Sequence, residues 1–178
     1  GGSIAHNDPA AELPALMVAL DARLHAQGPG GMRVIPAAEF FLGLFTTALE
    51  PDELLVAIEL PALPARTGTA FAEVARRHGD YAMAGAAAVV TLAADGTVAA
   101  SRLVLFSLAD GPIVISGAAA ALQGAEPTAA NVAAAAGTLD AEIDPPTDIH
   151  ATAAYRRHLA AVLARQTLAQ AATRAAVV

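Results

Sequence analysis

The stretch Gly1-Gly2-Ser3-Ile4-Ala5-His6-Asn7-Asp8-Pro9 joins a glycine turn to Ser3, His6, Asn7 and Asp8, a set of backbone and side-chain groups able to do chemistry. Paired glycines let backbone N–H groups come close to a ligand without side-chain interference, and the positive end of a helix that follows favours an anion. That combination suits a nucleotide pyrophosphate. Gly-Gly-Ser alone has the letters of an expression linker. The side chains of His6, Asn7 and Asp8, which can bond phosphate, ribose and backbone directly before a helix start, argue against that reading. Such a turn ordinarily follows a strand, so the expectation is that this cradle forms one side of a site whose other side comes from elsewhere.

A second cluster, Arg76-Arg77-His78-Gly79-Asp80-Tyr81, reads as a polar turn between strands, with Gly79 supplying an unusual backbone angle. A tyrosine presented on such a turn would alternatively cover the face of a flat ring. The segment from Glu39 to Leu49 holds three of the five phenylalanines and is either a core turn or a wall against a flat ligand. The five histidines show no pair at the i, i+4 spacing of a zinc helix, so His6 and Asp8 make a poor metal site. No serine stands in a nucleophile elbow. No catalytic side chain and no metal ligand is therefore assigned.

The elements that must position these groups follow from periodicity. Residues 10–27 place Leu13, Leu16, Met17, Leu20 and Leu24 at helical spacing, which predicts one helix ended by Gly28-Pro29-Gly30-Gly31. Residues 32–35 and 54–60 read as strands closed by Pro36 and Pro61. Residues 61–68, with two prolines and a glycine, are the linker candidate. Beyond it, residues 69–77, 85–94 and 97–108 read as an antiparallel meander whose last two members join at Asp95-Gly96, a strong hairpin signal. A short strand at 113–116, a helix at 128–136 behind Pro127 and a closing helix at 151–174 complete the chain. The buried stripe of that last helix is expected at Tyr155, Leu159, Val162, Leu163 and Leu168. A sheet followed by helices makes the fold class α+β.

Composition narrows the function. The chain has 178 residues, 56% hydrophobic and 15% charged, which excludes disorder and fits one domain or two small ones. All ten basic residues are arginine, the net charge is −7, and the arginines are scattered, so the footprint of a nucleic-acid binder is missing. With no cysteine, any disulfide or iron–sulfur centre must belong to a partner. The apolar run at 82–94 is shorter than the roughly 18 residues of a membrane span. A soluble, cytoplasmic chain, at most resting on the inner face of the membrane, is the expectation.

Residues 1–14, then Pro36-Ala37-Ala38-Glu39-Phe40-Phe41 with Thr46-Thr47-Ala48-Leu49-Glu50-Pro51-Asp52-Glu53, Ala75-Arg76-Arg77-His78-Gly79-Asp80-Tyr81-Ala82, Asp148-Ile149-His150-Ala151 and Tyr155-Arg156-Arg157-His158-Leu159 occur in an order that carries a family likeness. Together they resemble the FAD-binding medium subunit of molybdenum hydroxylases, the carbon monoxide dehydrogenase type most closely. The resemblance implies that residues 1–63 are the second lobe of a two-lobed FAD-binding domain. It implies that residues 67–178 are the C-terminal domain, a small antiparallel sheet with a helix bundle.

The family likeness further implies that Gly1, Gly2 and Ser3 hold the FAD pyrophosphate with His6 and Asn7 nearby, that Glu12 bonds the adenosine ribose, and that Leu49 and Tyr81 pack near the isoalloxazine ring. Relatives carry an N-terminal lobe with its own glycine-rich turn that these residues do not include, and often a lysine close to Ala72 or Glu73. The implied role is an oxidoreductase subunit passing electrons from [2Fe-2S] clusters on a small subunit through FAD to an external acceptor. The molybdenum cofactor is expected on a large subunit, and the assembly is expected to be a dimer of heterotrimers. The alternatives are a flavin-free docking or scaffolding domain of such a complex and a stand-alone flavin oxidase.

Overall fold

Asp95-Gly96 turns the chain at an exposed hairpin tip, where Ala93 N donates to Thr97 O at 2.8 Å and Gly96 takes a φ of +87°. The computed structural model describes residues 1–177. The first part of the chain forms α1 (Gly2–His6), α2 (Glu12–Ala19), β1 (Arg23–Gly28), β2 (Gly31–Pro36), α3 (Ala37–Phe40), β3 (Phe41–Gly43), β4 (Thr46–Thr47) and β5 (Leu54–Glu59). The second forms β6 (Thr67–Val74), β7 (Ala84–Leu92), β8 (Val98–Phe106), β9 (Ile113–Val114), α4 (Ser116–Leu122), α5 (Ala129–Gly137) and α6 (Ala153–Ala175).

Strands β6-β7-β8-β9 make an antiparallel sheet in sequence order, so the expected meander is present. Its alternation explains the uncharged run at 82–94. Ala86, Ala88 and Val90 face α6 through Leu163, Ala164 and Leu168, while Ala87, Val104 and Phe106 face α2 through Ala15, Val18 and Ala19. A strand buried on both faces has no polar side to show. The helices lie close because the contacts are small: a Cβ at Gly68 would run into the carbonyl oxygen of Ala171, and one at Gly85 into the Phe106 ring. On the other face, Arg102 donates to Val18 O at 2.9 Å and pairs with Asp21 at 3.2 Å, binding β8 to the end of α2.

The expected single helix over 10–27 is instead a helix, a turn and a strand. Asp21 takes a φ of +56° after α2, Ala22 N reaches back to Met17 O, and β1 then lies between β2 and β5 as the middle strand. Leu24 and Ala26 point into the core while Arg23 and Gln27 point out, a period of two that the four-residue leucine spacing concealed. Gly28-Pro29-Gly30-Gly31 closes the β1–β2 hairpin rather than capping a helix.

The last helix buries Leu159, Leu163 and Leu168 of the expected stripe and departs from it at two positions. Tyr155 and Val162 are on its outer side, and Arg156 takes the inner position beside Leu159, Ala160 and Leu163. Both later helices are capped by threonine: Thr128 Oγ1 accepts from Asn131 N, and Thr152 Oγ1 from Tyr155 N, each at 3.2 Å.

Candidate functional site

The paired glycines do not precede a helix; they begin one. Gly1 is the N-cap of α1, Ala5 N donates to Gly1 O at 2.9 Å, and the helix ends at Asn7 in the left-handed region. A first turn leaves its N–H groups without intrahelical acceptors, here those of Gly2, Ser3 and Ile4. Buried Ile4 anchors the turn to the core. Gly2 is not in the left-handed region, and a Cβ added to it meets nothing within 4 Å. Neither backbone conformation nor the chain's own packing calls for glycine there, and the space in front of it is open.

Asn7 is fully buried. Its Nδ2 donates to Gly43 O at 2.7 Å and Thr46 O at 3.1 Å, clasping the β3–β4 hairpin, while Oδ1 has no partner among the described residues. His6 lies outside, stacked on Phe45 with ring centroids 4.9 Å apart. Asp8 Oδ1 accepts from Ala10 N at 2.9 Å and turns the chain into α2, where Glu12 stands in the exposed first turn.

Between β6 and β7 the second cluster is the expected polar turn. Gly79 takes a φ of +84°, Asp80 is held by Arg77 at 3.1 Å and Arg76 at 3.7 Å, and Tyr81 is presented 70% exposed. This turn meets α1 and α2 across a cavity of about 330 Å³ that brings Ser3, His6, Glu12 and Tyr81 together. Four carboxylates, Asp8, Glu12, Glu73 and Asp80, line that cavity, and burial, with repulsion from Glu12, pushes the Glu73 carboxyl above its usual range. Leu49 does not line this cavity; it is half-buried against the core of the first part of the chain.

A larger cleft of about 760 Å³ lies on the other side of Asp8, Asp80 and Tyr81, which line both spaces. Its far walls are the turn after β8, around Ser107 and Asp110, and the segment 144–150 ahead of α6. Arg156 also lines it. Sequence reasoning assigned none of Ser107, Asp148 and Arg156 a role. The signal that was present is the pair Asp148 and Arg156, an acid and a base on either side of the helix start. Asp148 Oδ2 accepts from Arg156 at 2.7 Å. Burial pushes its carboxyl up, but the bonds from Arg156 and from the backbone of Ala151 and His150 together outweigh that and hold it at about 2.

Among the described residues, no three acidic or histidine side chains gather to hold a metal ion, and no helix is long and apolar enough to cross a membrane.

Comparison with known proteins gives a consistent picture. Residues 69–171 match the CO dehydrogenase flavoprotein C-terminal domain, and residues 1–63 match the FAD binding domain in molybdopterin dehydrogenase. The chain is 39% identical over 98% of its length to the 6-hydroxypseudooxynicotine dehydrogenase complex subunit alpha of Paenarthrobacter nicotinovorans, of which it covers 59%. It is 36% identical over 94% of its length to the carbon monoxide dehydrogenase medium chain of Hydrogenophaga pseudoflava, covering 58% of that protein. Its fold superposes on a chain of carbon monoxide dehydrogenase from Hydrogenophaga pseudoflava, solved without the Mo-pyranopterin moiety of the molybdenum cofactor. The TM-score is 0.93 with 38% identity, covering 98% of this chain and 60% of that one. The chain thus spans about three fifths of the length of the relatives it matches.

Proposed function

The chain belongs to the CO dehydrogenase flavoprotein family, and from that premise we propose that it is the flavin-holding part of the medium subunit of a molybdenum hydroxylase complex. A small iron–sulfur subunit and a large molybdenum subunit are its partners. Bound FAD would supply the redox chemistry, accepting electrons from the clusters and giving them to an external acceptor. This polypeptide binds the cofactor, orients it and shields it.

The observation that carries the reading is the open front of Gly2. The N–H groups of Gly2, Ser3 and Ile4 have no intrahelical acceptor, and a Cβ at Gly2 would meet no atom of the described residues within 4 Å, which leaves room for a pyrophosphate beside them. Around them, Gly1, Gly2 and Ser3 would hold the diphosphate through backbone, and Glu12, on the same cavity, would accept from a ribose hydroxyl. Tyr81 would cover a ring face and exclude water from it. His6 would border the diphosphate, braced by Phe45. Asn7 and Leu49 act from behind: one clasps the β3–β4 hairpin, the other packs against the core of the first part of the chain. None of these side chains has to exchange a proton for the subunit to work.

Assembly with its small and large partners, followed by the visible absorption spectrum, tests the proposal. A flavin spectrum in stoichiometric amount is expected. A colourless complex would overturn it in favour of a docking or scaffolding domain.

A further inference from the structure

Arg156 is 5% exposed, and its three bonds join parts of the molecule that are distant in sequence. One terminal nitrogen donates to Met83 O and to Ser107 O, the latter at 2.9 Å, and the other donates to Asp148 Oδ2. Each acceptor extends the tie. Met83 stands two residues after Tyr81. Ser107, held at a φ of +63°, donates its own N–H to Pro9 O at 2.9 Å. Asp148 Oδ1 accepts from His150 N at 2.9 Å and Ala151 N at 3.0 Å, fixing the segment 144–150. Three connections that line the larger cleft therefore meet at one guanidinium.

Stability alone is a poor reason for this arrangement. The guanidinium is buried while its partner Asp148 is 40% exposed, so burial costs the arginine its hydration and the half-open pair returns little of it. Arg156 Nε and Ser107 Oγ are moreover buried without partners among the described residues, which costs free energy that a leucine would not. None of the three acceptors is paired in a strand ladder or a helix; every one lies in a connection that lines the cleft. Such a network stabilises a spacing rather than a core.

We propose that Arg156 is the positioning residue of this site: it sets the separation of the Tyr81–Met83 wall, the Ser107 turn and the 144–150 strap, and so the pose of Tyr81 between the two cavities. The identity of the ligand that Tyr81 covers rests on the flavin reading above; the tie itself does not.

Two variants, Arg156→Lys and Asp148→Asn, test it in the assembled complex by amide hydrogen exchange and by the flavin spectrum. Lysine keeps the charge but cannot reach three acceptors at once. For Arg156→Lys, exchange is expected to quicken about tenfold at residues 81–83, 107–110 and 144–151, with the interior of β7 unchanged, and FAD affinity to fall about tenfold with an altered visible band. Asp148→Asn is expected to loosen 144–151 alone, and it supplies the decision if the lysine variant does not fold. Uniform quickening across the sheet, or none at the three walls, overturns the proposal. Absence of flavin from the unmodified complex would instead overturn the flavin reading, with the exchange pattern still deciding the role of Arg156.

Discussion

The sheet β6-β7-β8-β9 is covered on both faces, by α6 on one and by α2 on the other, whereas β2-β1-β5 is covered on one. In β7 the alternate positions are buried in both directions. In β5, Leu54, Val56 and Ile58 are exposed, Leu54 to 71%, and Met32 and Val34 are exposed on β2. Glycines divide in the same way. Gly68 and Gly85 are glycine because a neighbour occupies the space, and Gly2 has open space before it. The enclosed sheet is thus scaffold, and the groups able to meet a ligand are on the rim where the first part of the chain rests on it.

The largest expected contrast is between core and open face. Leu168→Ala, at a fully buried position under the enclosed sheet, is expected to cost about 2–5 kcal/mol in denaturant unfolding, while Leu54→Ala should stay within about 0.5 kcal/mol. Equal costs would break the distinction. Next come the glycines: Gly68→Ala should lose about 1–3 kcal/mol because Ala171 cannot retreat, and Gly2→Ala should leave the melting temperature of the flavin-free protein unchanged.

Acid separates the regions again. Asp148 and Glu53 both titrate near 2, the first as described above, the second because hydrogen bonds from Arg33 and from the backbone of Glu50 favour its charged form. A carboxyl depressed in the folded state contributes stability that is complete above its ordinary pKa and is lost as pH falls towards 2. Unfolding measured across that window should show a falling stability. Asp148→Asn should flatten the fall more than Glu53→Gln, since Arg156 is buried and loses its charged partner there, whereas Arg33 is 46% exposed and solvated by water. The smallest effect concerns Phe45, which is 54% exposed: Phe45→Ala removes the stack on His6 and should cost no more than about 1 kcal/mol in the same assay.

Much of the enclosed sheet was legible because its signals are local. Asp95-Gly96 needs only its own backbone to turn. What sequence could not show depends on partners far along the chain. Leu20 and Leu24 share a helical spacing, yet β1 forms because β2 and β5 flank it. Tyr155 looks more apolar than Arg156, yet three acceptors from distant connections draw the arginine inward. At the candidate site, Ser3, His6, Glu12 and Tyr81 were readable and share a cavity. Asn7 carries the same letters as a ligand contact but its amide is taken by Gly43 and Thr46, 36 and 39 residues away.

The central claim is that the open front of the α1 turn receives a diphosphate. Its most direct test is flavin content and thermal stability of the assembled complex with Gly2→Ala. A methyl group there touches nothing in the chain, so loss of bound FAD is predicted, with the flavin-free variant and the flavin-free unmodified complex melting together. Full flavin occupancy in the variant would contradict it.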